Sequence, residues 1–431
     1  MNPAASNPIE YDDNAVYPLV LLGGGHSHAL WLKQWHKFWL QLPNTHELKR
    51  IRPLLISENT LSPYSGMLPG LITSEYDVDD CHIDLINLCQ SSGCDFLQAR
   101  CINLSKVDEH LYRLDFEANE PDKQLSIYCE SLSINIGSQP LSDIENPGKN
   151  LTWQVKPISR FFDQWQVLQR ALQEQSIQPT ANSHKTTISI VGAGAAGIEI
   201  ACAIKVACDT QATSDKKTAP KNCHVQIESH SPAPLPQFNS RIQKLCLQRL
   251  KSMGIEFIHT HHEFKSSADV RIFCTQSTAP PWLKKTDLVL SEQGFITVDK
   301  NLQSSLAGIF AAGDCIHFTP QPLAKAGVYA VRQADTLFHN TCVHLMNKLL
   351  KPNKLINSDK LINSDKLLDS SRLLKANKTL QAFKPQNHFL SIINMGNQYA
   401  LAQRGRWSAH GYWFWRYKHH IDKKFMQQFI N

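Results

Sequence analysis

Three glycines, Gly192, Gly194 and Gly197, follow the apolar run TTISIV and open the alanine-rich stretch AAGIEIACAIKVA. At this spacing the first glycine permits a tight turn, the second lets backbone approach a diphosphate, and the third lets a helix close on a strand. The helix N-terminus then presents oriented N–H groups and partial positive charge to an anion. Glu199 lies two residues past the third glycine and joins the candidate dinucleotide contacts. Glu228 ends the next strand-like run, HVQIES. A carboxylate there accepts hydrogen bonds from both hydroxyls of an adenosine ribose and repels a 2′-phosphate, so the pattern predicts a nicotinamide dinucleotide, NADH favoured over NADPH. Glu228 stands 36 residues after Gly192 instead of about 20, and the polar stretch Asp209 to Asn222 accounts for the excess. A glycine turn that binds no nucleotide is the structural alternative.

A second, less regular motif lies near the N-terminus in YPLVLLGGGHSHALWLKQW. Gly23 and Gly25 fit the glycine pattern, and His28 occupies the third glycine position. Its side chain must fit at the helix–strand contact or turn toward a ligand. Ser57 sits where the carboxylate at the strand end is expected, with Glu58 one residue on. Either reaches an adenosine ribose, or both merely cap the strand. Further along, GIFAAGDCIHF places Asp314 after Gly313, close enough for its carboxylate to bind a ribityl or ribose hydroxyl. Pro322 is able to open the next helix without wasting a backbone donor. Asp314 as an ordinary N-cap is the competing account.

These residues need strands and helices in alternation to position them. Leu19 to Leu22, a glycine turn, residues at helical spacing from Trp31 to Leu42, and Leu54 to Ser57 read as strand, helix, strand. A right-handed crossover makes the two strands parallel. The Gly192 region repeats that unit. Between the two lie an expected helix from His82 to Gln90, strand-like LSIYCESLSINIGS, and a helical connector from Ile158 to Gln175. VRIFCT and GIFAAG read as strands, followed by a helix from about Ala324 to His339. KLINSD occurs twice in tandem between Lys354 and Asp365, in a Lys-, Asn- and Ser-rich context that reads as a linker. HFLSIINMGNQYALAQRGRW reads as a hairpin around Met395 to Gln398, and GYWFWRYKHHIDKKFMQQFI as an amphipathic helix.

At 431 residues, with 42% hydrophobic and 19% charged, the chain has the composition of a globular protein of several domains. No apolar run reaches the length needed to cross a bilayer. The N-terminus lacks the basic start and apolar stretch of a secretory signal, so the cytosol is the expected compartment and the 12 cysteines are read as mostly reduced. Of the net charge of +6, most falls after residue 400, where Arg404, Arg406, Arg416, Lys418, Lys423 and Lys424 oppose Asp422 alone. That localised excess suggests one anionic contact surface and gives no reason to expect nucleic-acid binding.

GGGHSH, SPYSGMLPG (62 to 70), the glycine motif at 192, GIFAAGDC, KAGVYAVRQ (325 to 333) and the tail WRYKHHIDKKFM, in this order and spacing, resemble the pyridine nucleotide–disulfide oxidoreductase superfamily. Within it, the chain is similar to the NADH dehydrogenase-like flavoproteins often fused ahead of selenide, water dikinase; no kinase domain follows here. The resemblance implies an α/β fold with two Rossmann-like dinucleotide-binding domains of the glutathione reductase-like FAD/NAD(P) type, plus a small C-terminal α+β region. It implies a first FAD-binding segment over 1–150, an inserted NAD(P)H-binding domain over 151–280 and a second FAD-binding segment over 281–345. A linker over 346–380 and a C-terminal hairpin and basic helix over 381–431 complete the chain. FAD contacts carried over by position are Gly23, Gly25, His28, Ser57 or Glu58, Gly137, Gly313 and Asp314, with Pro63, Tyr64 and Ser65 beside the flavin. Lys325 is placed to stabilise negative charge on the reduced flavin, with a solvated first-turn lysine as the alternative, and Arg332 and Gln333 fall on the side of the electron acceptor.

The implied activity is hydride transfer from NADH to flavin, then electron transfer to a small-molecule acceptor, a quinone in the related type II NADH dehydrogenases. Two alternatives keep the flavin: a sulfide- or selenium-linked oxidoreductase, or a non-enzymatic redox sensor acting with a separate selenophosphate synthetase. The disulfide reductases' cysteine pair is missing from NTLSPYSGMLPG, which argues against thiol exchange at the flavin, and leaves Cys129 and Cys315 as the thiols a sulfur-linked activity would need. Cys89 and Cys94 have the spacing but read as buried structural thiols. Gln276 follows Thr275 where glycine is usual in the superfamily. HTHHE (259 to 263) reads as an exposed loop, and no metal is expected. The terminal helix carries Phe414, Tyr417, Ile421, Phe425 and Phe429 as an apolar stripe, with Trp413 and Trp415 near its start. Packing on its own domain, with shallow contact to the inner face of an anionic membrane, is the expected arrangement.

Overall fold

The computed structural model describes residues 15–117, 125–140, 151–177, 185–211, 223–261, 268–275, 277–349 and 379–430. The tandem KLINSD repeat, Gln276 and the end of the HTHHE run lie outside them. The chain forms two compact units, the first of Met1–Ser62, Asp84–Ser138 and Ala279–Pro385, the second of Pro63–Ile83, Gln139–Thr278 and Gln386–Asn431.

The core of the first unit is a five-stranded parallel sheet in the order Ile309–Ala311, Leu132–Ile134, Val20–Leu22, Leu54–Ser57, Asp95–Gln98. The central strands are buried and mostly apolar because both faces are covered, as parallel sheets require. Helix His26–Gln41 packs on helix Gly327–Leu349. Trp31 stacks on Trp35 with ring centroids 5.3 Å apart, Phe338 meets Trp31 edge-on, and Trp31 Nε1 donates to Thr341 Oγ1 at 2.8 Å. The strand-like LSIYCESLSINIGS splits at Glu130–Ser131: Ser126–Cys129 joins a separate four-stranded sheet, and Leu132–Ile134 joins the parallel one. The expected helix from His82 begins later. His82–Asp84 is a strand, and Asp84 caps helix Leu85–Ser92 by accepting from Asn87 N at 3.0 Å. The helix expected from Ala324 starts at Gly327, so Pro322 does not open it.

The second unit repeats the plan with a parallel sheet in the order Leu151–Gln154, Val270–Phe273, Thr186–Val191, Cys223–Ser229, Glu256–His259. Helices Ile158–Ile177, Ala195–Gln211 and Ser240–Met253 belong to it. The segment 63–83 also falls in this unit, where helix Leu68–Ile72 packs on Ala195–Gln211. The C-terminal part is an antiparallel sheet of Ser391–Asn394, Ala400–Arg404 and Trp407–Gly411, followed by helix Tyr412–Gln427. Its first turn carries Gly396, Asn397 and Gln398 at positive φ, as the hairpin expectation has it.

Candidate dinucleotide and flavin sites

Both glycine turns are closed in the same way. Gly23 N donates to Ile56 O at 2.7 Å, and Gly192 N donates to Glu228 O at 2.8 Å. Both first glycines have positive φ, +99° and +112°, which a side chain resists. A Cβ on Gly192 would stand 2.9 Å from Cys274 O, and one on Gly197 would collide with the Gly192 carbonyl. Gly194 is different. A Cβ there meets nothing within 4 Å, so its backbone borders open space of the kind a diphosphate occupies. The second unit therefore fits a dinucleotide at its glycine turn.

In the first unit the third position departs from glycine, and the structure decides between the two possibilities for His28. The ring is fully buried; Nδ1 lies 2.6 Å from Gly23 O and Nε2 lies 2.8 Å from Ser133 Oγ. A carbonyl only accepts, so Nδ1 carries the proton and Nε2 accepts from the serine. Burial lowers the imidazole pKa from 6.5 to about 4, keeping it neutral. His28 thus grips the carbonyl that a side chain on Gly197 would strike in the other unit. Its side chain takes the first of the two possibilities and packs at the helix–strand contact.

Asn135, which ends strand Leu132–Ile134 and carried no sequence expectation, organises this corner. Its Oδ1 accepts from Ser27 N at 3.2 Å and its Nδ2 donates to Ala312 O at 2.7 Å. Cβ atoms on Gly23, Gly25 or Gly313 would each collide with it. Gly23, Gly25 and Gly313 are therefore brought together around one amide. No side chain caps Gly25 at the start of helix His26–Gln41. Ser57, nearly buried at its strand end, has Oγ beside Gly24, and Glu58 is exposed one residue on. Gly137 has positive φ and open space around it. Asp314 lies in the 3₁₀ turn Gly313–Cys315 at the end of strand Ile309–Ala311. Asn135 fills the space at Gly23, Gly25 and Gly313, and it is the open backbone at Gly137, with the Asp314 carboxylate at the neighbouring strand end, that leaves room for a flavin dinucleotide here.

Four expected residues have surroundings that the sequence did not reveal. Gln333 is 1% exposed and accepts from Gly313 N at 2.7 Å, so it braces the turn. Arg332 beside it is half-buried. Lys325 donates Nζ to Ile316 O and lies 3.6 Å from the centre of the Phe295 ring, so its ammonium is not a solvated first-turn charge. Glu228 is 2% exposed, and its Oε1 accepts from Ser189 Oγ and from Gln226 Nε2 at 3.2 Å. That oxygen is held within its own sheet.

Pro63, Tyr64 and Ser65 fall in the second unit, where the C-terminal helix holds their segment. Tyr64 OH donates to Asp422 Oδ1 at 3.2 Å, and its ring stacks on Phe425 at 4.6 Å. Lys418 Nζ donates to Gly66 O at 2.7 Å and to Asp422 Oδ2 at 2.8 Å. Glu199 accepts from Asn394 N at 2.8 Å. Burial raises the pKa of Glu199 and of Asp422 against the pull of Lys418, and the two carboxylates in turn raise that of Lys418. A lysine between two carboxylates and a tyrosine was not anticipated; the only trace in the sequence is the i, i+4 spacing of Lys418 and Asp422. The terminal helix divides its aromatic stripe. Phe425 packs inward, while Trp413, Tyr417 and Ile421 are exposed by 73%, 49% and 40%. Among the described residues, no helix is long and apolar enough to cross a membrane.

Two Rossmann-type sheets, each with a glycine turn, define an α/β oxidoreductase of the FAD and NAD(P) kind. The chain belongs to the pyridine nucleotide-disulphide oxidoreductase family, whose profile it matches over residues 47–334. Among solved structures it resembles NDH2 from Plasmodium falciparum bound to RYL-552, at 13% identity and a TM-score of 0.69, over 97% of this chain and 100% of that one. It also resembles the sulfide:quinone oxidoreductase of Aquifex aeolicus, at 14% identity and a TM-score of 0.65, over 95% and 91% of the two chains. A third is the water-forming NADH oxidase of Lactobacillus brevis bound to NADH, at 16% identity and a TM-score of 0.59, over 90% and 75%. At these identities the likeness speaks for the fold. No curated protein sequence matches the chain.

Proposed function

We propose that this chain is an FAD-dependent NAD(P)H oxidoreductase that takes hydride from a reduced nicotinamide dinucleotide and passes electrons to a small-molecule acceptor, a quinone by expectation. The observation that carries the reading is the repeated glycine turn, one in each unit, with open space at Gly194 and at Gly137. Two neighbours named for NADH and for a quinone are in keeping with it. Bound flavin supplies the redox chemistry, and the protein supplies binding, orientation and electrostatics.

Each part has a role the residues can perform. The Gly23–Ser27 turn and the Gly192–Gly197 turn bind diphosphates through backbone N–H groups and helix N-termini. Asn135 and Gln333 hold the Gly313 turn, so that the Asp314 carboxylate is offered to a ribityl or ribose hydroxyl. Lys418 can neutralise only one of its two carboxylates, so the Asp422 or Glu199 carboxyl holds a proton more readily than an exposed acid does. Trp413, Tyr417 and Ile421, with Arg416, Lys423 and Lys424 exposed beside them, form a surface suited to peripheral contact with an anionic bilayer.

The sulfur-linked alternative needs a thiolate. Burial pushes the Cys315 thiol up to about 11, its Sγ faces the Ala312 carbonyl at 3.2 Å, and Cys129 is raised further. Both are therefore poor nucleophiles. The test is an absorption spectrum of the purified protein followed by stopped-flow addition of NADH, with bleaching of the flavin band near roughly 450 nm expected. Flavin-loaded protein that NADH leaves unbleached sinks hydride transfer. Rapid multiple turnover with a soluble quinone excludes the sensor role.

A further inference from the structure

Strand Cys223–Ser229 ends Gln226, Ile227, Glu228, Ser229, and is followed by His230 and Ser231. Its register pairs Gln226 with Ser189 and Glu228 with Val191. Alternate residues on a strand face opposite sides, so Glu228 shares a face with Gln226 and Ser189, the two groups that donate to its carboxylate. Turning that carboxylate out to two ribose hydroxyls would strand both donors, at about 1–3 kcal/mol for each buried group left unpaired. Ser229, the last residue of the strand, pairs with His259 and is 5% exposed, and its Oγ accepts from Ser231 N at 3.0 Å. His230 is exposed, with Nδ1 at 3.1 Å from Thr260 O, and Ser231 Oγ donates to Ala233 O at 2.9 Å. Neither Ser229–Ser231 nor Thr260–His261 contains a carboxylate.

We infer that the adenosine 2′ position is read by Ser229, His230 and Ser231 and not by Glu228, so that the chain accepts NADPH as well as NADH. The inference rests on the NAD(P)H reading above. A dinucleotide seated on a glycine turn places its adenosine ribose at the end of the second strand, where a carboxylate selects NAD and a nearby arginine selects NADP. Here that end carries two hydroxyls and an imidazole. Its described residues, Ser229–Ser231 and Thr260–His261, include neither a carboxylate that would reject a 2′-phosphate nor an arginine that would demand one. The result is tolerance, with Ser229 at the position where a carboxylate would restore discrimination.

Isothermal titration of the FAD-loaded protein with NAD⁺ and NADP⁺, and with 5′-ADP and 2′,5′-ADP as probes of the adenosine end, tests this without turnover. The dissociation constants of NAD⁺ and NADP⁺ are expected to agree within about tenfold. Ser229→Asp is expected to weaken NADP⁺ and 2′,5′-ADP by at least about twentyfold and to leave NAD⁺ unchanged or tighter. Glu228→Gln, which keeps an oxygen for both donors, is expected to leave the ratio unaltered. Wild-type protein that binds NAD⁺ more than about a hundredfold tighter than NADP⁺ overturns the inference alone, as does relief of such a preference by Glu228→Gln. If neither dinucleotide binds, the hydride-donor reading itself falls.

Discussion

Tyr64 and Asp422, 358 residues apart in sequence, are joined by a hydrogen bond of 3.2 Å from the phenol to the carboxylate. Asp422 also takes one of the bonds from Lys418 Nζ, and Glu199 shares the field of the same ammonium. Two carboxylates thus depend on a single cation whose side chain is 14% exposed. Burial opposes their ionisation, which is why both pKa values are raised although a lysine stands beside them. The cluster ties the C-terminal helix to the SPYSGMLPG segment and to the helix that follows the dinucleotide turn.

Lys418→Met should therefore destabilise the protein by about 3–5 kcal/mol, since it leaves buried carboxylates with no counter-charge. The sign with pH follows from the raised values of Asp422 and Glu199: what each contributes is present at low pH and lost as pH rises through its folded pKa. The penalty should be larger at pH 8 than at pH 5, where the carboxyls take up protons. Urea unfolding of both proteins at the two pH values measures it, and a penalty that does not vary with pH contradicts the shared-cation account.

The last two glycines of the motif at Gly192 should separate fold from binding. Gly194→Ala adds a methyl group into open space, so stability should change by less than about 0.5 kcal/mol while dinucleotide affinity falls tenfold or more. Gly197→Ala drives a methyl group into the Gly192 carbonyl and should unseat the helix, lowering thermal stability and affinity together. Thermal melts beside NAD⁺ titration distinguish the two.

Local chemistry was legible in the sequence, and facing was not. The glycine turns, the alternation of strands and helices, and the hairpin at Gly396 are set by neighbouring residues, so spacing revealed them. Glu228 reads as a strand-end carboxylate, but that its Oε1 is held by Ser189 and Gln226 depends on which groups share its face across the sheet, and a partner 39 residues away gives no sign of itself in the spacing. Gln333 and Arg332 adjoin on one helix, and nothing in their spacing told which would brace Gly313. Asn135 is a polar residue at the end of an apolar strand, a place where a structural amide looks like any loop residue. The Lys418–Asp422 pair was hidden in a tail whose charge excess read as one anionic contact surface.

His28 gives a prediction with a definite pH window. Its folded pKa of about 4 lies below the 6.5 of an unfolded histidine, so its contribution is present above 6.5 and lost as pH falls toward 4. The shift corresponds to about 3 kcal/mol. His28→Ala should lower stability near neutral pH by about 2–4 kcal/mol, through the cavity and the unpaired Ser133 hydroxyl. It should also flatten the fall between pH 6.5 and 4. Unchanged steepness in that range, by urea titration, shows the ring to be solvated and able to protonate.

The terminal helix supplies the last test. Its inward face is occupied by Asp422 and Met426, while Trp413, Tyr417 and Ile421 stay exposed among Arg416, Lys423 and Lys424. If that outer face meets lipid, the protein should co-sediment with vesicles containing phosphatidylserine and not with neutral ones. Each cation near an anionic surface contributes about 1 kcal/mol, and the attraction is screened by salt. Lys423→Glu with Lys424→Glu should therefore reduce binding to acidic vesicles by at least about tenfold, and raising the salt should mimic it. Trp413→Ala should weaken binding with little dependence on salt, because a buried indole contributes through area and not charge. Neither change touches the Lys418 cluster, so melting temperature should hold while sedimentation changes. Equal sedimentation with neutral and acidic vesicles, or none with either, removes membrane contact from the account of this helix.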